Sequence, residues 1–364
     1  MIYRTLPHGG EQISIIGMGT SVVGEVSAGN VTETVCCALD NGINYFDLAG
    51  GHASIFPGMG EALKGRRDKA MLQVHFGADY TSGEYGWNLS LESVKRSIDW
   101  QLGQLKTDYI DFGFMHCLDE EGDLRTYERN GVLDYLLGMK AQGVVHHIGL
   151  STHAPALANR VLDLHIIDMM MFSINPMYDY GRGDYSIGSG CERYDLYTRC
   201  EKEGVGISVM KPFNAGQLLD AAKSPFHRAL TPAQCIQYAL DRPGVLTVMQ
   251  GPANADQLKE NLAYLTATRE ERDYSVIGSF TPDETKGKCV YCKHCHPCPA
   301  GLDIGLINKY YDLARLGDTL AKEHYLTLDK TAANCIACGH CDGRCPFSVK
   351  QSSRMQEIAD YFGR

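Results

Sequence analysis

Eight cysteines near the C-terminal end of the chain have the spacing of metal ligands. Cys335, Cys338, Cys341 and Cys345, followed by Pro346, read C-x2-C-x2-C-x3-C-P, the run that holds bacterial-type [4Fe–4S] clusters. Cys289, Cys292, Cys295 and Cys298, followed by Pro299, form the same run one residue shorter. Three thiolates two residues apart on a tight loop reach three corners of a cubane, and the fourth comes from elsewhere. The expectation is therefore a crossed arrangement of two [4Fe–4S] clusters. Cys289, Cys292, Cys295 and Cys345 would hold one, and Cys335, Cys338, Cys341 and Cys298 the other. Two four-cysteine zinc sites are the alternative, but structural zinc usually takes two separated C-x2-4-C pairs.

A second set of chemically capable residues lies earlier in the chain. Asp47, His75 and His116 each end or directly follow a short apolar run, and His52 follows Asp47 within five residues. A lone histidine at such a place is commonly a hydrogen-bonded structural residue. Several histidines and a carboxylate converging on one mouth point to proton chemistry instead.

The elements that must position these residues alternate regularly. Apolar runs at Ile13–Gly19, Ile43–Asp47, Ala70–His75, Tyr109–Met115, Val144–Leu150, Met169–Ile174, Gly206–Met210 and Val245–Met249 read as buried parallel strands. Helical patterns lie between and after them, at Val31–Leu39, Gly58–Leu63, Leu91–Leu105, Val132–Gln142, Pro155–Leu164, Glu192–Glu203, Pro232–Leu240 and Ala255–Leu265. Thr231-Pro232 supplies an N-cap followed by proline in the first turn. The alternation predicts an α/β fold, a (β/α)8 TIM barrel over residues 1–275. No G-x-G-x-x-G follows the first strand, which argues against a Rossmann domain. A polar linker, 267–287, leads to a small α-rich ferredoxin-like domain over 286–364, with helices expected at Ile304–Leu316 and Ser352–Tyr361.

Composition narrows the class. The chain has 364 residues and a net charge of −10, unevenly placed. From Lys286 to Arg364 there are 11 Lys+Arg against 8 Asp+Glu, which leaves 23 against 36 in the preceding 285 residues. An acidic body argues against nucleic-acid binding. The mildly basic tail could offset cluster charge or dock an acidic electron carrier. The N-terminal stretch MIYRTLPHGG has no signal-peptide core, and Ile166–Ile174 is too short to span a bilayer, so no membrane partner is expected. Fourteen cysteines without an export signal suggest metal ligation in a reducing compartment, and a cytoplasmic location.

In a barrel of this kind the chemistry sits at the C-terminal strand ends: here Gly19-Thr20, Asp47, His75, His116-Cys117, Ser151-Thr152-His153, Asn175, Lys211-Pro212 and Gln250-Gly251. Several local motifs, in order, resemble the aldo/keto reductases. They are Asn44-Tyr45-Phe46-Asp47 with Gly60-Glu61-Ala62-Leu63, Asp108-Tyr109-Ile110-Asp111 running to His116, Gly149-Leu150-Ser151, Met210-Lys211-Pro212-Phe213, and Gly251 through Gln257-Leu258-Lys259-Glu260-Asn261. The cysteine-rich tail is similar to that of the family's iron–sulfur branch. The resemblance implies NADP at the barrel mouth, along Gly19, Thr20, Ser151, Lys211, Gly251, Gln257, Glu260 and Asn261, and a small-molecule substrate.

It also implies a catalytic set of Asp, Tyr, Lys and His, and here the sequence departs from it. Asp47 and His116 match, but His52 stands at the tyrosine position and His75 at the lysine position. Two repairs are open. His75 stands in as a cation held by Asp47 while His52 donates the proton, or the three histidines and Asp47 hold a divalent metal. Tyr80, Tyr85 and Trp87, in the loop after the third strand, offer a substrate wall or another proton donor. Cys117 and the remaining cysteines, Cys36, Cys37, Cys191, Cys200 and Cys235, read as inert thiols, and His294, His296 and His340 as solvent-exposed or cluster-tuning residues. The reading that results is an iron–sulfur oxidoreductase with an altered reductase site, exchanging electrons with a ferredoxin or flavodoxin-type carrier. A non-redox lyase, isomerase or hydrolase and a non-catalytic electron-transfer subunit are the alternatives.

Overall fold

The computed structural model describes residues 1–181, 186–280, 287–291, 294–315, 319–345 and 347–364. Cys292, an expected cluster ligand, lies outside the described residues, as do Pro346, Lys286 and Leu316.

A short antiparallel hairpin, β1 (Tyr3–Thr5) and β2 (Gln12–Ser14), precedes the barrel. The strands that follow are β3 (Ile16–Gly19), β4 (Tyr45–Asp47), β5 (Met71–Phe76), β6 (Ala78–Asp79), β7 (Gly86–Trp87), β8 (Ile110–Met115), β9 (Val145–Thr152), β10 (Met169–Ser173), β11 (Gly206–Met210) and β12 (Val245–Gln250). Eight of them close into one parallel barrel in the order β3-β4-β5-β8-β9-β10-β11-β12, while β6 and β7 form a small hairpin beyond the end of β5. The run expected as one strand from Ile13 breaks at Ser14, whose hydroxyl donates to the Ile16 carbonyl, so its first residues pair with β1 and the rest enter the barrel.

The helices are α1 (Ala28–Asp40), α2 (Ile55–Ala62), α3 (Leu91–Leu105), α4 (Glu121–Arg129), α5 (Val132–Ala141), α6 (Pro155–Leu162), α7 (Pro176–Asp179), α8 (Gly190–Lys202), α9 (Pro232–Leu240), α10 (Ala255–Leu262), α11 (Ile304–Arg315), α12 (Thr319–Leu326), α13 (His340–Arg344) and α14 (Gln351–Phe362). Capping boxes at Ser189–Glu192 and Thr231–Gln234 start α8 and α9. α4 escapes the apolar-period reading because Leu124 and Tyr127 are its only buried residues, and the Glu120–Asp123 capping box marks its start instead. The apolar core of the barrel extends outward to Cys289, Tyr291, Phe347 and Val349. A second apolar cluster, built on Leu302, Ile307, Tyr325, Met355 and Ile358, fills the C-terminal region.

Away from the mouth, His147 pins the first hairpin to the barrel. Its Nε2 lies 3.0 Å from Glu11 Oε1 and its Nδ1 3.2 Å from Asp168 Oδ2. Burial lowers the pKa of His147, but these two acids more than offset it and leave the net shift upward. A raised folded-state pKa stabilises the fold fully below about pH 6.5, and the contribution fades as pH rises through the raised value. His147→Gln is therefore expected to cost more stability at pH 6 than at pH 9, by urea melts of the two proteins.

Candidate active site and cluster loops

The strand ends bring four side chains into one hydrogen-bonded line. Asp47 closes β4, His75 sits on β5, His116 follows β8, and Tyr85 comes from the loop that carries β6 and β7. His75 Nε2 lies 2.6 Å from Asp47 Oδ1, His75 Nδ1 lies 2.9 Å from His116 Nδ1, and His116 Nε2 lies 2.9 Å from the Tyr85 hydroxyl. Trp87 Nε1 donates to the His116 carbonyl at 3.3 Å, fixing the loop over the histidine. His75, His116 and Asp47 are buried, whereas the Tyr85 ring is 43% exposed, so the line runs from the barrel interior to solvent.

Below it is a polar floor. The Gln73 amide donates to Asp47 Oδ1 at 3.0 Å, and its carbonyl oxygen accepts from Tyr45 (2.7 Å) and Ser208 (3.2 Å). Gln73 and His75 alternate along β5, so both face the interior, as the period of two requires.

The ionisation pattern suits a relay. Burial, then the neighbouring His75, lower the pKa of His116 well below that of an ordinary histidine, which keeps it neutral. Burial pushes Tyr85 up to about 12, so it is a phenol at neutral pH. Tyr80, raised further by burial, accepts a hydrogen bond from the Gly50 amide at 3.1 Å and stacks beside Tyr85 and Phe56.

His52 is not brought into this line. Its backbone bridges to Glu84, and its half-buried side chain makes no hydrogen bond or ion pair among the described residues. Nor do Asp47, His75 and His116 surround a point where a metal would sit. Among the described residues, the group whose ligand atoms all lie within 4.8 Å of one another is Cys117, Asp119 and His153. There Asp119 accepts from Thr152 Oγ1 (3.0 Å), from the His153 amide (2.6 Å) and from His153 Nδ1 (2.9 Å). Lys211 acts on the same corner as a counter-charge; burial lowers its pKa against the pull of Cys117, Asp119 and Asp47. Burial pushes the Cys117 thiol up to about 11, so it is protonated and a poor nucleophile.

The residues expected to hold a nucleotide divide into three places. Gly19, Thr20 and Gly251 share the rim between β3 and β12, and a Cβ at Gly251 would meet nothing closer than Ser21 Oγ at 3.6 Å. The Thr20 hydroxyl is turned onto the Asp47 carbonyl at 2.8 Å, a bracing contact. α10 begins beside this rim, with Asn254 capping the Gln257 amide and Gln257 Oε1 accepting from the Ala253 amide; Glu260 and Asn261 lie on its second half. Ser151 is buried in the barrel wall, 3.9 Å from the Met171 sulfur, and Lys211 stands across the mouth.

The seven described cluster cysteines divide between a cavity in the C-terminal region and the edge of the barrel core. Cys298, Cys335, Cys338 and Cys341 line one cavity, together with Cys295, Pro299 and Ile336. Cys289 belongs instead to the apolar core of the barrel and Cys345 packs against it, and both, like Cys341, act electrostatically on Cys295. One zinc ion, with Zn–S bonds of about 2.3 Å, would draw its thiolates to within about 3.8 Å of one another. Among the described residues no three cysteine sulfurs lie within 4.8 Å of one another. Burial pushes Cys289 and Cys295 up to about 12 and Cys341 up to about 11, so cluster assembly must displace thiol protons.

The cluster loops dock on the flank of the barrel and not over its mouth. The Tyr194 hydroxyl of α8 donates to the Cys289 carbonyl at 2.6 Å, Arg242 donates to the Val290 carbonyl at 2.9 Å, and Lys309 of α11 pairs with Glu201 of α8 at 2.5 Å. Beneath this contact lies a buried hub. Asp179 accepts from Arg193 (2.8 Å), Tyr197 (2.7 Å) and Tyr238 (2.8 Å), and Arg193 also donates to the carbonyl of Ser173 at the end of β10. The hub spans from the cluster side of α8 to the strand ends.

Comparison with known proteins agrees with this architecture. Over 296 residues the chain is 27% identical to L-galactose dehydrogenase of Arabidopsis thaliana, covering 72% of this chain and 88% of that protein. It is 25% identical to an uncharacterized oxidoreductase of Bacillus subtilis strain 168, covering 75% and 94%. Among solved structures, an aldo-keto reductase from Bacillus halodurans in its holo form superposes with a TM-score of 0.61 at 23% identity, covering 78% of this chain and 97% of that one, which shows the shared fold. Residues 288–350 match the 4Fe-4S dicluster domain, and residues 15–232 match the aldo/keto reductase family. The chain is an oxidoreductase that belongs to the aldo/keto reductase family and carries a C-terminal 4Fe-4S dicluster domain.

Proposed function

We propose that this oxidoreductase interconverts a small carbonyl compound and its alcohol, with Asp47, His75, His116 and Tyr85 performing the proton transfer that a tyrosine–lysine pair performs elsewhere in the family. The observation that carries this reading is the unbroken hydrogen-bonded line from Asp47 to the Tyr85 hydroxyl. In the loaded state His75 holds protons on both nitrogens, one on Asp47 and one on His116 Nδ1. His116 then carries its own proton on Nε2 and donates to the Tyr85 oxygen, which leaves the phenolic hydrogen facing the mouth. When Tyr85 gives that proton to the substrate oxygen, His116 replaces it from Nε2 and is itself refilled at Nδ1 from His75. The line ends with His75 neutral and still bonded to Asp47. One proton has moved, and both His116 and Tyr85 are neutral before and after, as their burial favours.

Two groups complete the reading. NADP, held on the rim formed by Gly19, Thr20, Gly251 and the start of α10 and faced by Lys211, supplies hydride chemistry when bound. Two [4Fe–4S] clusters, held as the crossed cysteine sets, exchange single electrons with a carrier. The test is anaerobic purification with iron and sulfide analysis, followed by titration with NADPH and NADH against a panel of small aldehydes and ketones. About eight irons per chain, nucleotide binding and turnover are expected. Failure of both nucleotides to bind would remove the hydride source and with it the carbonyl reading.

A further inference from the structure

We propose that the surface over Cys335, Ile336 and Cys338 is the docking port for an acidic one-electron carrier protein, and that the set containing Cys289 and Cys345 is the inner station facing the barrel. This rests on the two-cluster reading above and adds the order of the stations, the docking surface and the kind of partner.

Each cysteine set has a buried member, Cys289 in one and Cys341 in the other, but among the described residues only the second has one at the surface, Cys338. Cys289 is 6% exposed, lies within the barrel's apolar core and is hydrogen-bonded through its backbone to α8. Its sulfur also receives the Gln351 amide at 3.5 Å, while the Val349 amide donates to Cys345 Sγ at 3.4 Å. The other set opens outward. Cys338 is exposed, Cys335 is half-buried, and Ile336 between them is 63% exposed. An apolar side chain on the surface beside cluster thiols forms a small dry contact, and redox encounters characteristically use small interfaces. Electron exchange depends on close approach, so the exposed set is the one a partner protein can reach.

Charge selects the partner. From Asp329 to Lys350 the exposed charged or imidazole side chains are Asp329, Lys330, His340, Arg344 and Lys350. The carboxylate between Cys335 and Cys345 belongs to Asp342, and it is turned inward onto Ser352, accepting from its amide at 2.9 Å and from its hydroxyl. Three cations and a histidine against one exposed carboxylate suit an acidic protein, and the rest of the chain strengthens the preference. The 285 residues before Lys286 carry 36 acidic against 23 basic side chains, so an acidic carrier is repelled from the barrel and steered to the tail. From the inner station, α8 and the Asp179 hub connect to the strand ends.

Stopped-flow reduction of the anaerobic holoprotein tests the proposal, with reduced acidic ferredoxin as one donor and dithionite as the other. For the ferredoxin reaction, Ile336→Glu and the pair Lys330→Glu/Arg344→Glu are each expected to lower the second-order rate constant by about tenfold or more, and added salt to lower the wild-type rate. Dithionite reduction, iron content and the cluster EPR signals should be unchanged in the same variants. Equal ferredoxin rates in all three proteins, or a rate that rises with salt, would overturn the port. A variant that loses iron is replaced by Ile336→Gln, which keeps the length of the loop and removes only the apolar contact; an undiminished ferredoxin rate in that protein also counts against the proposal. If the wild type itself binds too little iron for two clusters, the two-cluster reading fails before the port is tested, so the two failures are distinguishable.

Discussion

Tyr85→Phe is expected to lower kcat for carbonyl reduction by about 10²–10⁴-fold, the range for loss of a positioned general acid. KM should change little, because the ring and its packing against Tyr80 are retained and only the hydroxyl is lost. The substitution removes the terminal donor 2.9 Å from His116 and leaves the buried part of the line intact. His116→Ala should produce a loss of the same order, and the double variant little more, because residues acting as one unit are not additive. His52→Ala is the informative control. Its imidazole is the proton donor expected from the sequence yet makes no hydrogen bond among the described residues, so a change of no more than a few-fold is expected. Steady-state kinetics on the anaerobic holoprotein decide the matter. A wild-type kcat in Tyr85→Phe combined with collapse in His52→Ala would return the proton to His52.

Cys345→Ala should remove the cluster that the first cysteine run begins, not the one nearest in sequence. Cys345 packs against the barrel core that includes Cys289, whereas Cys298, Cys335, Cys338 and Cys341 line a cavity that Cys295 also borders. Iron is expected to fall from about eight to about four per chain. Under brief alkylation Cys338 should stay protected by its surviving cluster while Cys289 and Cys295 become reactive. Mass spectrometry of the labelled peptides reads the outcome directly. Labelling of Cys335, Cys338 and Cys341 with Cys289 protected would establish an uncrossed arrangement instead.

Much of the scaffold is readable along the chain. Continuous apolar runs such as Gly206–Met210 can only be strands buried on both faces, and Thr231-Pro232 marks a helix start whatever surrounds it. Elements without such a local signature were less legible. The N-terminal hairpin, the polar helix from Glu121 to Arg129 and the β6–β7 hairpin owe their form to caps and to contacts with distant residues. Gln73 could have been noticed as a polar residue alternating with His75 in an apolar strand, but its role under Asp47 appears only when β4 and β5 are set side by side. Tyr85 was visible as one of three aromatics in a loop, and nothing in its spacing ties it to His116, 31 residues away.

The sequence by itself determined which residues are available for metal and proton chemistry, because ligand spacing on a short loop and apolar periodicity in a barrel are local properties. It carried the two cysteine runs and the eight-strand order, and it supplied His52 and His75 as candidates for the catalytic set. Only the tertiary structure decided who meets whom. Barrel closure turned Asp47, His75 and His116 into a line that ends on Tyr85 and not on His52. Docking of the tail against α8 buried Cys289 while leaving Cys338 at the surface. The reason in each case is the same: hydrogen-bond partners and burial are set by residues far apart in the chain, and local spacing carries no record of them.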